Sequence, residues 1–179
     1  MKRFLVLLTV IAFAMACNNA GQPVSSMGTD SVLNAMKMKD SILEKNKATA
    51  LASVQAFNAG KADAVLQDFA TDGVDYGNGE MAPVKGLDSA KVYLKQFMDA
   101  FPDMKGENFR VIGDGNHVAV FGDWSGTFKG AMGKMKPTGK MFKVKDVDLY
   151  TFNDAGKITE HRSIQSNATI MSQIMGGKK

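Results

Sequence analysis

A chain of 179 residues, 45% hydrophobic and 22% charged, holds one ordinary domain plus a short extension and is not disordered throughout. Its 18 Gly lack a triplet period, which excludes a collagen-like chain; one Cys and two His exclude a Cys/His zinc site and a disulfide framework, so no metal and no cofactor are expected. The formal charge of +4 falls to +2 once Lys2 and Arg3 are set aside with a removable leader, which is not the footprint of a nucleic-acid binder.

Lys2 and Arg3 form a charged start, and Phe4 to Met15 follow as an uncharged, mostly apolar run. A membrane span needs roughly 20 apolar residues, so this run fits a signal peptide over residues 1–16. Ala14-Met15-Ala16-Cys17 admits two processing routes. One is plain Ala-x-Ala cleavage to a secreted or periplasmic protein. The other is an imperfect bacterial lipobox in which Cys17, the sole cysteine, becomes a lipidated N-terminus. The lipobox route predicts an exported cell-envelope lipoprotein whose membrane partner is reached through Cys17. Asn18 next to it favours the outer over the inner membrane. Residues 17–30, with Gly21, Pro23, Ser25, Ser26 and Gly28, read as a flexible tether, and residues 31–177 as the folded domain.

From Thr29, Asp30 and Ser31, which are good N-cap types, no Pro or Gly interrupts the chain to Asn58. Leu33, Met36, Leu43, Ala50, Val54 and Phe57 recur at helical spacing. The first half is more charged and is expected to stand off the body. A second short helix is predicted over 62–69 and a third from Asp88 or Ser89 to Ala100, stopped by Pro102. The period then changes to two. Strands are predicted over 109–112, 117–128, 142–152 and 157–165, with turn chemistry at Gly113-Asp114-Gly115-Asn116 and Asn153-Asp154-Ala155-Gly156. A terminal helical turn or two is expected over 168–175. Helices followed by an antiparallel meander make an α+β fold.

Strand alternation places His161, Ser163 and Gln165 on one face, and Asp146, Asp148 and Tyr150 on one face with Phe142, Val144 and Phe152. A carboxylate among apolar neighbours must be paired or protonated, which singles out Asp148 as an acid, or as the partner of Arg162 or Lys145. His161 is a possible general base or a hydrogen-bonded wall residue. Trp124 shares a strand with Val118 and Val120 and suits a core or a cavity wall. The lysines at 129, 134, 136, 140, 143 and 145 form either a positive collar that draws an anionic ligand or a solvated loop.

Several motifs run in a recognisable order: Phe57-Asn58-Ala59-Gly60, Asp72-Gly73-Val74-Asp75-Tyr76, Phe101-Pro102-Asp103-Met104, Gly126-Thr127-Phe128, Pro137-Thr138-Gly139-Lys140, Asp148-Leu149-Tyr150-Thr151-Phe152 and Gly156-Lys157-Ile158-Thr159-Glu160-His161. In these the chain resembles the SnoaL-like polyketide cyclase (ester cyclase-like) group of the nuclear-transport-factor-2-like (NTF2-like) superfamily, over about residues 46–176. The resemblance implies a curved antiparallel sheet wrapped by three N-terminal helices into a cone with a central cavity, and a dimer through the outer sheet face. It also implies that Asp75 and Tyr76 lie at the cavity rim. The family's last strand carries two aspartates; here those positions are Ser163 and Ser166, and its tryptophan is Arg162. Serine does not shuttle protons near neutral pH. The leading expectation is therefore a non-catalytic lipoprotein binding a small apolar or amphipathic molecule, with Tyr76, Trp124, Tyr150, Ser163 and Gln165 as ligand contacts. Two alternatives remain: an isomerase, cyclase or hydrolase using His161 and Asp148, and an envelope protein–protein interaction module.

Overall fold

The computed structural model describes residues 26–165 and 167–176. The leader, Cys17, most of the tether and Ser166 lie outside the described residues. Helix α1 spans Ser26–Asn58 and α2 Ala62–Val65; strands β1 (Phe69–Asp75) and β2 (Val84–Lys85) follow, then α3 (Leu87–Ala100). Strands β3 (Lys105–Asp114), β4 (His117–Thr127), β5 (Met141–Phe152) and β6 (Ile158–Ser163) form the meander, and α4 (Asn167–Met175) ends the chain.

The six strands make one sheet in the order β2-β1-β6-β5-β4-β3. Strand β1 runs parallel to β6, while the other pairs are antiparallel. This corrects the expected architecture on two counts. The sheet is mixed and open, with β2 and β3 as its two edges, and it is not closed into a cone. Among the described residues only α1 and α2 precede the first strand; α3 follows β2 and α4 comes last. Phe69, expected to close the second helix, instead opens β1. Alternation shows that a segment is a strand but not which strand it meets, and β1 and β6 are far apart in sequence.

Helix α1 presents Asn46, Ala50, Ser53 and Val54 to the body at three- and four-residue steps, and all four are buried. Its N-terminal part stands free: Val32, Leu33, Met36, Met38 and Ile42 are exposed. The even-numbered residues Val118, Val120 and Trp124 of β4 and Phe142, Val144, Tyr150 and Phe152 of β5 are buried on the same side of the sheet. Phe101, at the end of α3, meets Phe128 at 5.4 Å and Phe142 at 5.3 Å between ring centroids. The loop after β4 is pinned to the same helix end, since Lys129 and Gly130 N–H donate to the Ala100 carbonyl. A Cβ at Gly130 would lie 2.1 Å from the Asp99 carbonyl oxygen, so only glycine fits there. Strand β3 is longer than its sequence pattern because a bulge breaks its alternation: Asn108 has φ 56° and the register shifts between Glu107 and Arg110.

Candidate functional site

The parallel pairing of β1 with β6 sets Asp75 opposite His161, and the antiparallel pairing of β6 with β5 sets His161 opposite Tyr150. One step along, Asp148 is opposite Ser163. Residues in register share a face, so these side chains converge. Asp75 Oδ1 lies 3.0 Å from His161 Nδ1, and Asp148 Oδ1 lies 3.1 Å from His161 Nε2. The Tyr150 ring sits 5.0 Å from the imidazole. Backbone bonds tie the end of β1 to β6: Tyr76 N–H donates to the His161 carbonyl and Ser163 N–H to the Gly77 carbonyl. Gly77 N–H also donates to Asp75 Oδ1, which orients that carboxylate.

The two carboxylates sit in different surroundings. Burial alone works against the His161 charge, but the hydrogen bonds and negative charges of Asp148 and Asp75 outweigh it and push the imidazole up to about 10. Asp75 is lowered: burial works the other way, and the His161 bond and charge with the Gly77 N–H overcome it. Asp148 is raised, because burial outweighs the help of His161. Only 8% of Asp148 is exposed, and its Oδ2 is buried without a hydrogen-bond partner among the described residues. Burial and the nearby Asp148 charge also raise Tyr150 well above its ordinary value.

These groups line a cavity of about 310 Å³ between the sheet, α1 and α3. That is the lower end of the range for small-molecule pockets, roughly 300–1,000 Å³. Its wall is mostly apolar, with Val54, Phe57, Leu94, Phe97 and Val144 among the lining side chains. His161, Asp148, Tyr76, Trp124, Tyr150, Ser163 and Gln165 all line it. Trp124 is buried with its ring edge-on to Phe57 and Phe109. Ser163 Oγ donates to Asp146 Oδ2, and the Gln165 N–H donates to Asp146 Oδ1.

The partner of Asp148 is His161, not Arg162 or Lys145. Lys145 pairs with Asp123 at 2.7 Å, and the Arg162 guanidinium lies 3.8 Å over the Tyr76 ring. None of the six lysines between 129 and 145 lines the cavity, so there is no positive collar at this site. Lys129 pairs with Asp103 instead, and Lys140 Nζ donates to the Gly176 carbonyl. Sequence reasoning left Asp75 as a rim residue and gave Asp146 no role. Asp75 becomes central only through the parallel pairing, which no local pattern announces. Among the described residues no group of His, Cys, Asp or Glu is placed to hold a metal ion. Asp75 and Asp148 take opposite nitrogens of His161 and so do not converge on one point.

The model of the SnoaL-like polyketide cyclase family matches residues 47–174. The chain belongs to the SnoaL-like family. Solved structures agree on the fold. A candidate SnoaL-like polyketide cyclase from Jannaschia sp. CCS1 is similar at 23% identity and TM-score 0.69, covering 76% of this chain and 96% of that one. AclR, a candidate hydroxylase from Streptomyces galilaeus, is similar at 23% identity and TM-score 0.63, covering 76% and 89%. TerC, co-crystallised with polyporic acid, is similar at 20% identity and TM-score 0.59, covering 73% and 98%. No curated protein matches the sequence. Identities this low establish a shared fold and no shared reaction. The polar end of this SnoaL-like domain is a histidine clamped between two aspartates.

Proposed function

We propose that the domain binds a small, largely apolar molecule in the cavity and that Asp148 receives that molecule's polar group. The observation that supports this is the buried, unpartnered Oδ2 of a cavity-lining carboxylate. A buried acceptor left unmatched is costly, and a ligand donor offsets that cost. His161 and Asp75 are positioning residues: both imidazole nitrogens are engaged, so the ring fixes Asp148 and leaves Oδ2 available. TerC, similar in fold, was co-crystallised with polyporic acid, which is in keeping with this reading.

Trp124, the only tryptophan, lines the cavity and reports directly on its contents. Titration with the neutral dye Nile red is expected to give saturable binding at one site per chain and to quench Trp124. Ala90→Phe, which places a ring in the cavity wall, is expected to abolish it. Binding unaffected by Ala90→Phe overturns the assignment.

A second reading is favoured by the raised Asp148. A carboxyl whose proton is retained nearer neutrality can transfer it, which is isomerase-, cyclase- or hydrolase-type chemistry. Here Asp148 is the acid–base group and His161 its support. Incubating aryl ketones with the protein in D2O separates the readings: enzyme-dependent exchange of the α-hydrogens, lost in Asp148→Asn, makes the domain a catalyst, and no exchange leaves it a binder.

The address belongs to the same proposal. Lys2, Arg3, the apolar run to Met15 and Cys17 support export and lipid attachment, with the outer membrane favoured by Asn18. Half-buried Phe121, Val147 and Leu149 on the sheet face away from the cavity support a homodimer through that face, which sedimentation equilibrium tests.

A further inference from the structure

Among the described residues, the cavity wall carries three acids, Asp75, Asp146 and Asp148, against one base, His161, and no Lys or Arg. Asp146 is satisfied within the protein, accepting from Ser163 Oγ and from the Ile164 and Gln165 N–H groups. Asp75 is satisfied by Gly77 N–H and His161. With both carboxyls ionised, His161 serves one on each side only as an imidazolium, because a neutral ring offers one N–H and one lone pair, and the same two neighbours push the ring toward its charged form. One imidazolium against the carboxylates of Asp75, Asp146 and Asp148 leaves the wall with negative charge in excess. The atom without a partner is Asp148 Oδ2, in a residue more than nine-tenths buried. The cavity wall also carries aromatic rings, among them Tyr93, Trp124, Tyr150, Phe57 and Phe97. The faces of such rings attract cations.

We propose that the ligand is a hydrophobic amine bound as its ammonium, with Asp148 Oδ2 accepting its N–H and the aromatic wall covering its carbon skeleton. This rests on the cavity being a binding site, as above, and narrows the occupant by charge. A carboxylate or phosphate would meet three acidic side chains and no free cation. A neutral alcohol would satisfy Oδ2 but leave the excess charge in place. An ammonium satisfies Oδ2 and reduces that excess, and a charge-assisted hydrogen bond is stronger than a neutral one. The lysines of the 129–145 segment lie outside the cavity and do not alter this balance.

The test uses three probes on one skeleton: 4-phenylbutylamine, 4-phenyl-1-butanol and 4-phenylbutyrate, titrated at pH 7 with Trp124 emission and thermal unfolding as readouts. The amine is expected to bind at least about tenfold more tightly than the alcohol, and the carboxylate at least about a hundredfold more weakly than the amine. Asp148→Asn is expected to bring amine and alcohol within about twofold of each other through loss of amine affinity, with Nile red quenching of Trp124 in the same variant reporting whether the cavity is intact. The wild-type ranking decides the matter even where that variant folds poorly. An alcohol or carboxylate bound as tightly as the amine overturns the ammonium and leaves the cavity reading standing. Binding of none of the three overturns both. An amine preference unchanged in Asp148→Asn overturns the role given to Asp148.

Discussion

Asp75 and His161 are neighbours across the sheet's one parallel strand pair, and the 3.0 Å contact between Asp75 Oδ1 and His161 Nδ1 follows from that register. The antiparallel neighbour on the other side supplies Asp148 at 3.1 Å from Nε2. The imidazole is therefore gripped from both flanks by strands of opposite sense. Both carboxylates favour its charged form, and that has measurable results.

The chain has only two histidines, so imidazole proton resonances are simple to follow by NMR. His161 is expected to show no titration between pH 5 and 8 and an inflection near 10. Replacing either carboxylate, as Asp75→Asn or Asp148→Asn, is expected to lower that inflection. A His161 midpoint near the ordinary value in the wild type rules the clamp out.

Folding stability is expected to fall as pH rises from about 6.5 to about 10. In that window folded His161 keeps a proton that the unfolded chain has released, so the folded state binds more protons and loses ground with rising pH. The full loss is of order 3–5 kcal/mol. On the acid side the two carboxylates oppose each other: the contribution of Asp75, which is lowered, is lost as pH falls through and below the ordinary carboxylate range, whereas Asp148, which is raised, favours the folded state there. Urea unfolding of His161→Gln across pH is expected to lack the alkaline slope, and an unchanged slope assigns it to another group.

Asp146 holds the end of β6 by accepting from Ser163 Oγ and from two backbone N–H groups, those of Ile164 and Gln165. Asp146→Ala is expected to cost about 2–3 kcal/mol, and Ser163→Ala about 1 kcal/mol. Denaturant midpoints check both. A larger effect from Ser163→Ala than from Asp146→Ala contradicts the network.

Gly130→Ala forces a methyl group to 2.1 Å from the Asp99 carbonyl oxygen. The loop must lift from the end of α3 and lose its bonds to the Ala100 carbonyl, at a cost of about 2 kcal/mol or more. A melting temperature within a degree of wild type excludes this close approach.

Cys17→Ala is expected to move the protein from the membrane to the soluble fraction of its host. Retention in the membrane sinks the lipid anchor.

The helices and the meander strands are legible in the sequence because each has a local period: three-to-four-residue spacing through Ala50, Val54 and Phe57, and strict alternation through Phe142, Val144 and Asp148. Pro102 marks the end of α3 by its missing N–H. The first residues of β3 escape because the Asn108 bulge breaks the alternation. The mixed, open sheet escapes for a different reason. It depends on a pairing between residues 86 apart, Asp75 and His161, for which neither segment carries a local signal. The same gap explains the site: Asp148 stands out as a carboxylate on an apolar face, whereas Asp75 looks like an ordinary strand end until β6 lies beside it.

The free-standing part of α1, roughly Ser26 to Ile42, amounts to about 25 Å of straight rod at 1.5 Å per residue. Its helix continues without a break into the turns that wall the cavity through Ser53, Val54 and Phe57. Mechanically the described part of α1 is a lever that ends in the cavity wall. A twist or tilt applied at the far end of that rod is delivered to the pocket wall.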